Sequence, residues 1–197
     1  MFLDDVEYQS FVRRLDWSPD GNVLLTPSAC FYNLKADSVQ SRSSYTYTVY
    51  GFLKHGLSQP AFMLPGLKSY ATCIKFNPYL YKKTTDPGKV PLLDLPYRMI
   101  FAVATIDQIM IYATDQQTPI AVVGSIHYAP INDLAWCSNE MLVACSSDGY
   151  CSIVTVKDKR LLGERMPNEL IEDETLKLQY AKNDNVDFKR LEYQVKS

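Results

Sequence analysis

The sequence predicts an all-β chain: an incomplete β-propeller of about three four-stranded antiparallel sheets, followed by a charged, mostly disordered C-terminal tail. Three observations carry this. Short apolar runs are separated by tight turns of the Ser-Pro-Asp-Gly and Ser-Asp-Gly kind, at residues 18–21 and 147–149. The strand-turn-strand unit recurs three times. The first strands of the three copies end at Trp17, Phe76 and Trp136, 59 and 60 residues apart. Repetition of this kind marks an architecture in which each unit buries its apolar face only by stacking on its neighbours.

The first unit, about residues 8–64, opens with a strand over 11–17. Ser18-Pro19-Asp20-Gly21 supplies a turn in which Pro presets φ and Gly accepts a positive one, and a second strand covers 23–26. Residues 28–44 read as a polar, Ser-rich insertion. The alternation over 45–52 predicts a third strand and residues 61–64 a short outer one, bracketed by Pro60 and Pro65 as an edge permits. The second unit, about 71–123, starts with Cys73-Ile74-Lys75-Phe76-Asn77-Pro78 where Leu15-Asp16-Trp17-Ser18-Pro19 stood. An insertion over 79–95 reads as a loop. Strands are then predicted over 99–104, 108–112 and 119–123, with a turn at Asp107.

The third unit, about 126–156, is the most informative. Alternation over 131–136 gives one strand, and the continuous apolar run 141–145 gives a second that is buried on both faces. Ser147-Asp148-Gly149 then leads into a strand over 151–156. His127 precedes the first strand, and Asp148 sits in the turn between the second and third. Antiparallel strands reverse direction, so both connections emerge at the same end of the sheet. An imidazole and a carboxylate can meet there, joined by a charge-assisted hydrogen bond worth roughly 1.5 to 3 kcal/mol. With Ser146 they form the predicted structural hydrogen-bond set. A His and a turn Asp about 21 positions apart are a WD-repeat feature, so the three units read as WD-repeat blades.

Residues 157–197 change in character, with nine acidic and nine basic side chains. They read as a solvated tail with a helical turn or two around 170–180. The whole chain has 197 residues, 47% hydrophobic content and a net charge of −2. That balance disfavours direct DNA binding by bulk electrostatics. No stretch of 18 apolar residues is present to span a membrane as a helix, and the N-terminus lacks a signal-peptide pattern. Five cysteines without a CxxC pair read as free, mostly buried thiols.

No cofactor, metal or catalytic set is predicted. His127, Ser146 and Asp148 could pass for a hydrolase triad, but the sequence has no GxSxG-type elbow and no oxyanion hole. Cys137, Cys145 and Cys151 lack the paired local spacing of zinc ligands. The candidate partner contacts are Arg13, Arg14, Tyr97, Arg98, Tyr128 and Tyr150: cations at a strand near a rim, and aromatics flanking loops where they can anchor an interface. Against that stand the plainer readings, solvated rim charges and half-buried packing.

The segments FVRRLDWSPDGNVLLTP, LPYRMIFAVATIDQIMIY and IHYAPINDLAWCSNEMLVACSSDGYCSIVT resemble the later blades of the middle, WD-repeat subunit of chromatin assembly factor 1. Histone-regulator WD subunits of replication-independent assembly share the RRLDWSPDG start but match the DGYC hairpin less well. The resemblance implies a non-enzymatic scaffold of a nuclear histone chaperone that deposits newly made core histones on replicated or repaired DNA. Implied partners are the large and small subunits of chromatin assembly factor, core histones through the complex, and an anti-silencing-function chaperone. That last contact is expected from a basic-apolar segment after the propeller, whose nearest counterparts are Lys159-Arg160-Leu161 and Lys189-Arg190-Leu191. An unrelated WD-repeat adaptor is the alternative.

Closed propellers use about four to eight blades, so three leave an open array. Leu15, Trp17, Leu24, Val143, Ile153 and Val154 are expected to lack covering neighbours. The sequence reads as part of a longer chain.

Overall fold

The computed structural model describes residues 12–32, 45–84 and 90–167. Within them, eleven strands form three antiparallel sheets. The first sheet runs β1 (Asp16–Trp17), β2 (Val23–Tyr32), β3 (Tyr45–Leu53), β4 (Phe62–Leu67). The second runs β5 (Ala71–Lys82), β6 (Tyr97–Thr105), β7 (Gln108–Ala113), β8 (Ala121–Gly124). The third has three strands, β9 (Ile131–Trp136), β10 (Met141–Ser146) and β11 (Cys151–Thr155), followed by a short helix α1 (Lys159–Leu162).

The second sheet lies between the other two: β1 and β2 pack on β5 from one side, and β9 packs on β5 and β6 from the other. Its central strand therefore needs apolar residues on both faces. β6 is buried from Arg98 to Thr105. The two faces differ in side-chain size. Phe101 and Val103 join the core shared with Val23, Leu25, Val49 and Leu64 of the first sheet, whereas Ala102 and Ala104 meet Ile131, Leu134, Leu142 and Ala144 of the third. Large side chains fill one gap and small ones let the third sheet approach closely. Phe101 also stacks on Tyr112, with ring centroids 5.4 Å apart.

Polar groups stitch the sheets together. The Thr72 hydroxyl donates to the Ile131 carbonyl at 2.9 Å, and the Trp136 indole N–H donates to the Lys75 carbonyl at 3.1 Å. Between the first and second sheets, the Phe76 amide donates to Asp16 at 2.8 Å and the Tyr97 hydroxyl donates to Asp20 at 2.6 Å. Asp20 lies in the Ser18–Gly21 turn, where Gly21 takes a φ of 66° and the Ser18 hydroxyl accepts from the Val23 amide at 2.9 Å.

Among the described residues the array is open at both ends. Leu15 is 52% exposed, Trp17 40% and Ile153 65%, while Leu24, Val143 and Val154 are half-buried. Trp136 rests against the preceding sheet. Trp17, at the matching repeat position, has no described sheet before it to receive it.

The structure differs from the sequence reading in three respects. β1 spans two residues rather than seven, because the chain before it leaves its sheet and runs beside β5: the Arg14 amide donates to the Thr72 carbonyl, and the Ile74 amide to the Arg14 carbonyl. The two insertions begin later than expected. β2 continues to Tyr32 and β5 to Lys82, each carried past an irregularity in its register, and Tyr79, Leu80 and Tyr81 are buried rather than looped.

Residues 157–167 are the third difference. Read from composition as the start of a solvated tail, they form α1 and then return to the second sheet. The Lys82 amide donates to the Glu164 carbonyl and the Met166 amide to the Leu80 carbonyl, so the segment is tied to the end of β5 by a single antiparallel bridge between Tyr81 and Arg165. Leu162 is buried in the main core, and the Arg165 guanidinium lies 3.9 Å from the Tyr79 ring centroid. Two apolar anchors, Leu161 and Leu162, suffice to dock a highly charged stretch. The expected helical turns at 170–180 and the Lys189-Arg190-Leu191 segment lie outside the described residues.

Candidate functional site

The hairpin joining β10 to β11 and the loop before β9 emerge together at one end of the third sheet. Asp148 is their junction. Its Oδ2 lies 3.0 Å from His127 Nδ1 and accepts from the Tyr128 amide at 3.1 Å, while Oδ1 accepts from the Tyr150 amide at 2.9 Å. The His127 side chain is almost fully buried and that of Asp148 largely so. Three donors on one carboxylate favour its ionised form. The Asp148 carboxyl is accordingly held below the usual carboxylate range, first by the Tyr150 amide and then, against the desolvation that opposes it, by the Tyr128 amide and His127.

Ser146 completes the set without touching the imidazole. Its hydroxyl donates to the Ala129 carbonyl at 2.9 Å and accepts from the Asp148 amide at 3.3 Å. A nucleophile would need His127 as its base. Here the serine instead ties the loop to the hairpin, so the constellation works as a clamp between two turns. Replacing His127 with Ala is expected to lower stability by about 1 to 3 kcal/mol, measured by urea denaturation, with any effect on partner binding following the folded fraction. Unchanged stability together with abolished binding would overturn that structural role.

The clamp holds two aromatic side chains out to solvent. Tyr128 is fully exposed and Tyr150 is 71% exposed, and each is fixed through its own backbone N–H on Asp148. The remaining candidates separate. Arg13 and Arg14 are both exposed, and Arg14 Nε lies 3.4 Å from Asp133 Oδ2 of β9. Tyr97 is half-buried and spends its hydroxyl on Asp20.

Arg98 is not at a rim. Its side chain is only 4% exposed, Nε lies 3.4 Å from Asp115, Nη1 donates to Thr84 at 2.8 Å and Nη2 to the Leu161 carbonyl at 2.7 Å. Arg98, expected as a partner contact, instead forms an internal tie between β6, the loop after β7 and α1. Asp115 leaves no signal in the sequence, because its approach to Arg98 depends on the register of β6 with β7, not on spacing. A separate cleft of about 780 Å³ has Lys82, Lys83, Lys159, Arg160 and Arg165 in its lining together with Glu140 and Glu164. Lys82 pairs with Glu164, Lys83 with Asp94 and Arg160 with Asp158, which leaves little net field for an anion. Among the described residues, no group of His, Cys, Asp or Glu is placed to hold a metal.

Stacked antiparallel sheets with a His–Asp clamp define a WD-repeat-type β-propeller module. The model described as "CAF1B/HIR1 beta-propeller domain" matches residues 1–161, and the chain belongs to that family. It is 37% identical over 170 residues to the CAF1B subunit of chromatin assembly factor 1 from Gallus gallus, covering 82% of this chain and 28% of the relative. To the corresponding Saccharomyces cerevisiae protein it is 37% identical over 161 residues, covering 80% of this chain and 33% of the relative. Protein HIRA of Caenorhabditis elegans is more distant, at 26% over 174 residues, 87% of this chain and 16% of the relative. The chain thus spans about a third or less of the length of these relatives. Among solved structures, a computationally designed protein, Ika4, superposes at a TM-score of 0.31 with 12% identity, covering 76% of this chain and 93% of that one.

Proposed function

We propose that the chain serves as a non-enzymatic scaffold in a nuclear histone chaperone that deposits newly made core histones on replicated or repaired DNA. The observation that carries this reading is the match to the chromatin assembly factor 1 proteins of bird and yeast, at 37% identity across about four fifths of the chain. The site geometry supports it: His127, Ser146 and Asp148 are consumed in holding a turn, and what reaches solvent is a pair of aromatics whose backbone amides are held on Asp148, suited to protein contact.

On this reading Tyr128, Tyr150, Arg13 and Arg14 contribute to a surface for the large or small subunit of the assembly factor, and core histones are reached through the complex. Contact with an anti-silencing-function chaperone would use the basic-apolar stretch at Lys159-Arg160-Leu161. Arg160 is exposed there, but Leu161 is turned toward the core. The replication-independent histone-regulator complex is the second reading, supported by the more distant likeness to HIRA.

The test is affinity capture of the tagged full chain from nuclear extract, read by mass spectrometry. Recovery of the large assembly-factor subunit with core histones is expected. Recovery of histone-regulator subunits instead would favour the second reading, and recovery of neither group would overturn both.

A further inference from the structure

The register of the third sheet sets two cysteines opposite each other. Cys145 of β10 pairs with Cys151 of β11. The next pair toward the turn is hydrogen-bonded, the Ser146 amide donating to the Tyr150 carbonyl at 3.2 Å. Antiparallel pairs alternate in type, so Cys145 and Cys151 form a non-hydrogen-bonded pair, in which Cα atoms approach to about 4.5 Å and side chains lie side by side. That separation lies within the range of about 4.4 to 6.8 Å over which a disulfide closes.

Both are free thiols on the outward face of the sheet, Cys151 exposed and Cys145 half-buried, with Val143 and Ile153 beside them. This corrects the expectation of buried thiols. Cys73 shows the contrast, because it is buried against Asp133, where burial and then that carboxylate push its thiol up to about 12. Cys137 follows β9 and donates its amide to the Met141 carbonyl, at the opposite end of β10 from Cys145.

We propose that Cys145 and Cys151 form a thiol-oxidation site, closed to an intrachain cross-strand disulfide by a low-molecular-weight disulfide of the glutathione type. The exposed Cys151, as thiolate, attacks one sulfur of the oxidant, forming a mixed disulfide and expelling one glutathione thiolate. Cys145, as thiolate, then attacks the Cys151 sulfur and expels the second. The protein loses two electrons and two protons, and the oxidant gains them as two glutathione thiols. The bond spans the hairpin directly beneath Tyr150, so oxidation staples the turn that presents that ring.

The experiment exposes the native full chain to graded ratios of oxidised to reduced glutathione, alkylates the remaining thiols, digests it, and maps the products by mass spectrometry. A peptide linked through Cys145 and Cys151 is expected, with circular dichroism unchanged. Cys145→Ser should instead accumulate glutathione on Cys151, because the resolving thiol is gone. Phenylarsine oxide, which bridges neighbouring thiols, supplies a readout without oxidation: it should protect both cysteines from alkylation in the unsubstituted chain and neither survivor in Cys145→Ser or Cys151→Ser. A mixed disulfide that persists on Cys151 in the unsubstituted chain, or a link formed only after denaturant is added, would overturn the proposal.

Discussion

Replacing Arg98 with Ala is expected to destabilise the chain by roughly 3 to 5 kcal/mol, because it strands the largely buried Asp115 carboxylate without its cation. The two side chains are 4% and 7% exposed, so solvent does little to screen the loss. The substitution also removes donors to Thr84 and to the Leu161 carbonyl, which loosens the return of residues 157–167 onto the second sheet. Urea denaturation of Arg98→Ala, Asp115→Ala and the double variant forms a cycle that isolates the pair. The double variant is expected to be less destabilised than the sum of the single ones, since no unpaired charge remains. Additive losses would show that Arg98 acts through its other bonds alone. Hydrogen exchange should report faster opening at Lys82 and Met166, whose amides pair across that junction.

Arg98 also shows where sequence reasoning stops. The alternation of apolar residues located nearly every strand, and turn chemistry at Ser18–Gly21 and Ser147–Gly149 set the hairpins, because these signals are local and governed by sterics. His127 and Asp148 were legible for the same reason: two turns at one end of a three-stranded meander must come together. The fate of a lone arginine is different. Whether it faces water or a carboxylate depends on which residue of β7 and which loop after it the register brings alongside, and neither leaves a trace in spacing. The extents of the insertions are hidden for a related reason. Pro27 and Pro78 interrupt the ladder and read as strand ends, yet each sits in a register shift beyond which pairing resumes. The return segment was hidden by its charge, since 18 charged side chains over residues 157–197 outweigh the Leu161-Leu162 pair in any average. The pairing of Cys145 with Cys151 was present in the hairpin arithmetic, two strands flanking a five-residue turn, but registers only once the turn's hydrogen bonds are fixed.

If the proposed scaffold reading holds, substituting Tyr128 and Tyr150 together with Ala is expected to reduce binding to the large assembly-factor subunit at least 30-fold while leaving stability within about 0.5 kcal/mol. Interface tyrosines that act as anchors contribute about 2 kcal/mol or more each, roughly 30-fold per residue, and close neighbours do not add independently. Stability should survive because the rings themselves touch solvent. What Asp148 holds is the backbone N–H of each residue, which Ala retains. This separates the pair from His127, whose removal opens the clamp and lowers binding only as the fold loosens. Two tyrosines presented on a turn already fixed by three hydrogen bonds lose little conformational freedom on binding, the circumstance in which exposed aromatic area converts efficiently into affinity. Calorimetric titration of the recombinant full chain against the large subunit, with urea denaturation of the same preparations, reads both quantities. Undiminished affinity in the double variant would move the partner surface elsewhere on the propeller, and parallel losses of affinity and stability would make the tyrosines packing residues instead.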